Sequence, residues 1–279
     1  MIQDIFPKKL YNHYDPKAEP NEESLIIVER PDGILAKIKS DGDTCEIVFP
    51  RLSEIGNTGK LTYLFSIDDE QYFFAENVDP SVPADFEFLK MNTIRARRPT
   101  PMYRVYAAFT AHHLITWYRQ NRFCGCCGKP TEQDNTERAL RCTSCGNMIF
   151  PKIMPAVIVG VRNGDRMLCT KYRTGFAPYA LIAGFTEIGE TLEETCEREV
   201  MEEAGLRIKN ITYFGSQPWG TAQDILAGFY CDVDGSPEIH IDRQELKLAE
   251  WKSRDEIELQ PYEYSLTNEI MKQFKLGNI

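Results

Sequence analysis

Residues 184–206 read GFTEIGETLEETCEREVMEEAGL. The stretch sets Gly184, Glu190, Arg198, Glu199, Glu202, Glu203 and Gly205 at the spacing G-x5-E-x7-R-E-U-x-E-E-x-G-U, with Val200 and Leu206 in the two apolar slots U. Glu199, Glu202 and Glu203 stand at i, i+3 and i+4, so on a helix their carboxylates share one face. Three like charges packed that closely repel one another, and selection for stability alone would disperse them. A hard divalent cation relieves the repulsion, and oxygen ligands are what it prefers. Such a cation can bridge a diphosphate, neutralise charge developing on its oxygens and activate a water. The pattern therefore implies metal-dependent hydrolysis of a nucleoside diphosphate linked to another group.

The surrounding residues place this pattern on a loop followed by a helix. Thr191 and Glu194 form a T-x-x-E capping box. Leu192, Cys196, Val200 and Ala204 recur every four residues and supply a core-facing stripe. Gly205 sits where a helix C-terminus favours a residue tolerant of positive φ. Arg198 can orient the carboxylates by charge-assisted hydrogen bonds, and Glu190, before the helix, is expected to brace the loop. A solvated acidic helix would need caps, but not two glycines and an arginine in register.

With 279 residues the chain has room for about two domains and a small insert, and 42% hydrophobic residues suffice for ordinary cores. A net charge of -10 argues against a nucleic-acid coat or an anionic membrane surface as a general partner. No apolar run is long enough to span a bilayer, and the opening MIQDIFPKKLYNHY is mixed and polar, unlike a secretory signal. Nine cysteines in such a chain point to metal ligation and reduced thiols. The expected location is cytoplasmic.

Residues 1–118 are expected to form a β-rich N-terminal domain ending in a helix. Strands are predicted at 25–28, 34–38, 45–49, 63–67 and 72–75, with Pro31-Asp32-Gly33 as one turn signal. Residues 95–98, Arg-Ala-Arg-Arg, read as a short basic linker. Apolar spacing of three and four predicts a helix over 102–120, in which His112 and His113 are packing or surface residues.

Residues 119–150 carry a second strong signal. Cys124 and Cys127, then Cys142 and Cys145, form two C-x-x-C knuckles with 14 residues between them. That spacing fits a tetrahedral four-cysteine Zn2+ ribbon of structural type. Cys126 is surplus and expected to point away. Residues 151–279 form the third expected domain. A strand pair at 156–161 and 166–170 is joined by Asn163-Gly164, read as a type I′ turn. Further strands are predicted at 181–183, 211–215, 225–233 and 249–252, with a closing helix near 265–274. Strands interleaved with helices predict an α/β class, an α/β/α sandwich with a mixed sheet.

A zinc ribbon directly ahead of a box of this kind resembles the NADH pyrophosphatase branch of the Nudix hydrolases. The resemblance spans roughly residues 117–251. It rests on WYRQNRFCG-x-CG (117–128), the knuckles, Phe150-Pro151, the box, Ser216-Gln217-Pro218-Trp219, Gln244-Glu245-Leu246 and Trp251. It implies hydrolysis of the pyrophosphate bond of NADH or NAD to nicotinamide mononucleotide and AMP, and removal of NAD caps from RNA. It also implies Mg2+ or Mn2+ for catalysis, structural Zn2+ and a homodimer. By position, Glu199, Glu202 and Glu203 would hold the catalytic metals with the backbone of Ala183 or Gly184. Glu245 resembles the family's additional acidic ligand. Glu202 and Glu245 are the two candidate general bases. Phe150 and Phe185 fall where aromatics are expected to sandwich adenine, with core packing the competing reading for each. Gln217 and Trp219 belong to the dinucleotide-recognition segment.

That segment departs from the family signature S-Q-P-W-P-F-P-x-S, because residues 220–224 are Gly-Thr-Ala-Gln-Asp. Loss of two prolines and a phenylalanine predicts a softer, less apolar loop. Asp224 either repels a phosphate or bonds a ribose hydroxyl. Lys171 and Arg173 are expected either to contact phosphate or to be solvated. The competing functions are hydrolysis of another conjugate, such as ADP-ribose or a dinucleoside polyphosphate, and nucleotide binding without catalysis.

Overall fold

A computed structural model of the chain describes residues 1–41, 44–56, 58–76, 81, 83–97, 99–175 and 177–279. The chain divides into two compact units, one of residues 2–152 with 219–223, the other of Met1, 153–218 and 224–279.

The first unit has strands β1 (Leu10–Tyr11), β2 (Leu25–Ile27), β3 (Glu29–Arg30), β4 (Gly33–Asp41), β5 (Thr44–Val48), β6 (Leu61–Ile67), β7 (Glu70–Ala75) and β8 (Glu87–Leu89). One sheet has the order β1-β6-β7-β2, and in the other β4 pairs with β3, β5 and β8. All five predicted strands lie on β2, β4, β5, β6 and β7. Ile26, Leu35 and Phe73 of these strands close a core with Phe86, which precedes β8. The Pro31-Asp32-Gly33 turn is wedged tightly. Gly33 has φ 143°, and a Cβ there would meet the Leu89 backbone at 2.3 Å.

Helices α1 (Met91–Arg97) and α2 (Met102–Gln120) follow. The expected basic linker is corrected here. Arg95 and Arg97 end α1, whose Ile94 is buried, and Arg98 lies outside the described residues. The Arg95 guanidinium lies 5.1 Å from the Trp219 ring centroid. Helix α2 matches its predicted bounds but buries more than one stripe, with Tyr106, Ala107, Ala111, Leu114 and Trp117 inside as well. The first unit ends in a small antiparallel sheet of β9 (Thr131–Gln133), β10 (Leu140–Cys142) and β11 (Met148–Ile149), in the order β11-β10-β9. Gln133 Nε2 donates to Thr62 Oγ1 at 2.9 Å and Arg138 Nη2 to the Leu64 carbonyl at 2.6 Å, tying this sheet to β6.

The second unit comprises β12 (Met154–Asn163), β13 (Arg166–Tyr172), β14 (Ile182–Phe185), α3 (Leu192–Ala204), β15 (Ile208–Trp219), β16 (Asp224–Val233), β17 (Leu246–Ser253) and α4 (Leu266–Lys275). Its sheet runs β15-β16-β12-β13-β17, with β14 also on β12. Strand β12 is parallel to β16 and antiparallel to β13 and β14, so the sheet is mixed. Alternation along β12 decides the layers. Val157, Val159 and Val161 pack with Cys196, Val200 and Ala204 of α3. Ile158 packs with Leu266, Ile270, Met271 and Phe274 of α4. One helix on each face makes the expected α/β/α sandwich. Gly160 lets α4 approach, since a Cβ there would meet Tyr230 at 2.9 Å and Ile270 at 3.0 Å.

The β12–β13 turn is shifted by one residue from its predicted place. Asn163 pairs with Arg166, leaving Gly164-Asp165 as the two-residue loop. Gly164 has φ 61° while Asp165 is not among the positive-φ residues, which is the type II′ arrangement with glycine first.

Candidate active site

Helix α3 forms as its sequence requires. The Thr191 hydroxyl accepts from Glu194 N at 3.2 Å, and Glu194 Oε2 accepts from Thr191 N at 2.7 Å, which completes the capping box. Gly205 ends the helix at φ 67°. With Cys196, Val200 and Ala204 fully buried, the acidic residues are left on the other side.

Arg198 is the hub of that acidic side. Its Nε and Nη2 grip Glu190 at 2.6 and 3.0 Å, and its Nη1 reaches Glu199 at 2.7 Å and Glu202 at 3.0 Å. Nη2 also donates to the Phe185 carbonyl at 2.9 Å, joining the helix to the end of β14. Glu190 accepts in addition from Glu187 N and from the Thr195 hydroxyl, both at 3.0 Å. The Arg198 bond, then these donors, hold its carboxyl down at about 2. Glu190 therefore braces the loop as a permanently charged partner of Arg198.

Two glutamates face inward. A Cβ on Gly184 would lie 2.0 Å from the Glu199 carboxylate carbon, so the glycine exists to let that carboxylate lie against β14. Glu203 is only 2% exposed. It accepts from the Ala183 backbone N–H, and its Oε2 is buried without a hydrogen-bond partner. Burial, then the charges of Glu245 and Glu199, push its carboxyl up to about 8. Burial raises Glu199 as well.

Glu245 reaches this cluster through the loop before β17. His240 N donates to the Ala204 carbonyl at 2.8 Å and Asp242 N to the Glu203 carbonyl at 3.0 Å, docking the loop on the end of α3. Gly205 leaves room for it, because a Cβ there would meet His240 Cβ at 2.8 Å. Tyr172 also belongs to the site and was not singled out from sequence. Burial pushes its hydroxyl up to about 12, helped by Glu203, Glu245 and Glu199. Nothing in its local sequence marks it, since only the pairing of β13 with β17 brings it there.

The donor set suits a divalent cation. A buried carboxylate oxygen without a donor, pressed by two like charges, is stabilised by a cation and by little else. The oxygens are not gathered into a tight cage. Among the described residues, only the four ribbon cysteines form a set whose ligand atoms all lie within 4.8 Å of one another. Arg198 balances Glu199 and Glu202 in the structure instead.

The expected substrate residues fall into two groups. Phe185 in the second unit is 47% exposed and Phe150 in the first is 53% exposed, so core packing accounts for neither ring. Gln217 is buried, its Nε2 donating to the Tyr264 carbonyl at 2.7 Å and its Oε1 accepting from Leu266 N at 2.8 Å. Those bonds tie β15 to the start of α4. Trp219 packs on Phe109 at 5.1 Å between ring centroids. Residues 219–223 make a turn in which Ala222 N donates to the Trp219 carbonyl at 3.2 Å and Gln223 N to the Gly220 carbonyl at 3.3 Å. Gly220 is pressed onto α2, where a Cβ would lie 2.0 Å from the Phe109 carbonyl oxygen. Asp224 is buried, with Oδ1 unpartnered and its carboxyl pushed up to about 6 by burial. Arg173 donates to the Arg243 carbonyl at 2.9 Å, and Lys171 lies over the Tyr179 ring at 4.0 Å.

In the ribbon, Cys124 Sγ lies 3.7 Å from Cys145 Sγ, and Cys127 Sγ lies 3.4 Å from Cys142 Sγ. Backbone N–H groups of Cys145 and Ser144 point at Cys142 Sγ at 3.5 and 3.4 Å and favour its thiolate. Cys126 lies outside the quartet and is exposed. The arrangement is a closed four-thiolate site of the kind zinc occupies.

The fold and the two constellations define a Nudix domain preceded by a zinc ribbon. Residues 152–274 match the NUDIX domain, and residues 119–150 match the NADH pyrophosphatase zinc ribbon domain. The NAD-capped RNA hydrolase NudC of Klebsiella pneumoniae is 41% identical over 152 residues, covering 53% of this chain and 58% of that protein. The protein of the same name from Haemophilus influenzae is 42% identical over 142 residues, covering 50% and 53%. This chain thus spans a little over half the length of the curated relatives it matches. It belongs to the Nudix hydrolases, in the branch that carries an NADH pyrophosphatase zinc ribbon. No helix among the described residues is long and apolar enough to cross a membrane.

Proposed function

We propose that this protein hydrolyses the pyrophosphate bond of NADH or NAD, giving nicotinamide mononucleotide and AMP, and removes NAD caps from RNA. The observation that carries the reading is the buried, unpartnered Glu203 oxygen among Glu199 and Glu245, in a chain whose ribbon is of the NADH pyrophosphatase type. The relatives named NAD-capped RNA hydrolase support the substrate.

Glu199, Glu202, Glu203 and Glu245, with the backbone of Ala183, would hold Mg2+ or Mn2+. A bound cation of that kind neutralises charge on the diphosphate oxygens and makes a water more acidic. The remaining duties fall to the chain itself. Glu202 is 60% exposed and takes its place from Arg198, so it is free to turn towards an attacking water. It, or Glu245, accepts the water's proton as the oxygen bonds to one phosphorus and the bridging P–O bond breaks, leaving two monophosphates. Arg198 and Glu190 keep α3 and β14 in register. Phe185 and Phe150 offer exposed rings for a base to stack on. Zn2+ in the cysteine quartet would be structural. The working form is a cytoplasmic homodimer of three-part chains, with boundaries near 118 and 150.

The test is chromatography of products after incubating the protein with NADH, NAD, ADP-ribose and a diadenosine polyphosphate, with Mg2+ or Mn2+, beside Glu202→Gln. The expected result is AMP and reduced nicotinamide mononucleotide from NADH, lost in the variant. Turnover of another conjugate with none of NAD(H) would overturn the substrate assignment.

A further inference from the structure

Tyr172 is the last residue of β13, and strand alternation fixes which way its ring points. Met167 and Cys169 pack with Leu266, Ile270 and Phe274 on the α4 face, while Leu168 packs with Cys196, Val200 and Ala204 on the α3 face. Tyr172 shares the α3 face and packs against that same cluster. The strand leaves the core here, since residues 167–170 are buried and Tyr172 is half-buried. Across the ladder Lys171 pairs with Leu248 but Tyr172 with Leu246, which leaves Lys247 without a counterpart. Irregularities of this kind re-aim side chains beside active sites.

Backbone bonds tie this corner to the acidic cluster. Arg173 N donates to the Glu245 carbonyl at 2.9 Å, Leu246 N to the Asp242 carbonyl at 2.9 Å and Asp242 N to the Glu203 carbonyl at 3.0 Å. The phenol therefore stands near Glu203, Glu245 and Glu199, whose charges it feels, and it makes a hydrogen bond to none of them. Burial beside these carboxylates keeps it protonated at neutral pH, so it is a donor.

A phenol oxygen lies on the axis of its ring, so turning a packed ring cannot carry it to a new partner. The acceptor has to come from the cleft. Arg198 does not compete for it, because its donors are taken by Glu190, Glu199, Glu202 and the Phe185 carbonyl. A diphosphate seated on Glu199, Glu203 and Glu245 by way of a divalent cation would present acceptor oxygens at this corner. We propose that Tyr172 is a catalytic residue whose hydroxyl donates to a diphosphate oxygen of the substrate and keeps its proton throughout. Charge builds on those oxygens as the bridging P–O bond breaks, and a donor already in place stabilises it without reorganising.

This assignment rests on the hydrolase reading, and the experiment separates the two. The parent and Tyr172→Phe are assayed with Mn2+ on NADH, NAD, ADP-ribose and a diadenosine polyphosphate, and Mn2+ affinity and melting temperature are measured for both proteins. Phenylalanine keeps the ring and its packing, so both of these are expected to hold. On the conjugate that the parent cleaves, kcat/KM is expected to fall about tenfold to a hundredfold, the range for one hydrogen bond to a charged oxygen. Undiminished kcat/KM in the variant overturns the proposal and leaves the hydrolase reading intact. A weakened Mn2+ affinity, with activity recovered at saturating Mn2+, overturns it as well, since the hydroxyl then serves the carboxylates and not the substrate. A parent that cleaves none of the conjugates overturns both.

Discussion

Gly184 and Glu203 show how single residues divide stability from chemistry. The contact that excludes a Cβ at Gly184 is the far end of the flexible Glu199 side chain. Gly184→Ala is therefore expected to swing that carboxylate away at little cost in stability. Thermal melting should move only slightly, while kcat/KM falls about a hundredfold, the size of effect that ångström-scale misplacement brings. Glu203 gives the opposite pairing. In protein free of divalent cation its folded value, about 8, lies above the unfolded range of about 4.3. The folded state thus holds a proton that the unfolded chain releases, and stability falls as pH rises from about 4 through about 8. Glu203→Gln removes that penalty. The variant should be inactive yet more stable than the parent at pH 8.5 by up to about 5 kcal/mol, with the gap closing towards pH 5. Melting curves across this pH range check the sign, and a variant less stable at pH 8.5 would refute the buried-charge account. The spacing of the carboxylates was legible in sequence. The strain on Glu203 was not, because it arises first from burial in the folded domain and then from Glu245, more than thirty residues away.

Among the elements, α3 was the easiest to read, since its caps, its apolar stripe and its acidic side all lie in one short segment. The hairpin turn slipped by one residue because Asn163 keeps its place in the ladder opposite Arg166, leaving glycine to open the turn. Helix α4 depends on Gly160 and Gly228 in the strands beneath it, where a Cβ would meet Ile270 at 3.0 Å in each case. Gly160→Val is expected to cost about 2 kcal/mol by overpacking, measured by urea unfolding, and to leave KM unchanged. The ribbon should behave as a metal-dependent element. Purified protein is expected to carry one zinc per chain by elemental analysis. Cys142→Ser should lose it, lower the melting temperature and open residues 119–150 to proteolysis. Full zinc retention in that variant would show that the quartet is not the site.

At the scale of the whole molecule, the homodimer proposed above is checked by light scattering, with twice the chain mass expected. What the sequence determined by itself was local. A glutamate triad with its caps, two cysteine knuckles and the strand alternation each declare themselves within a few dozen residues, because helix and strand periodicity and ligand spacing are short-range rules. Hence the mixed α/β/α sandwich, the ribbon and the core of the acidic site could be read in advance. Only the tertiary structure tied Gln217 to the start of α4, pressed Gly220 onto α2, and brought Tyr172 and Glu245 beside Glu203. Each of these pairs residues far apart in the chain. Their meeting is decided by packing and strand pairing across the fold, for which neighbouring residues carry no signal.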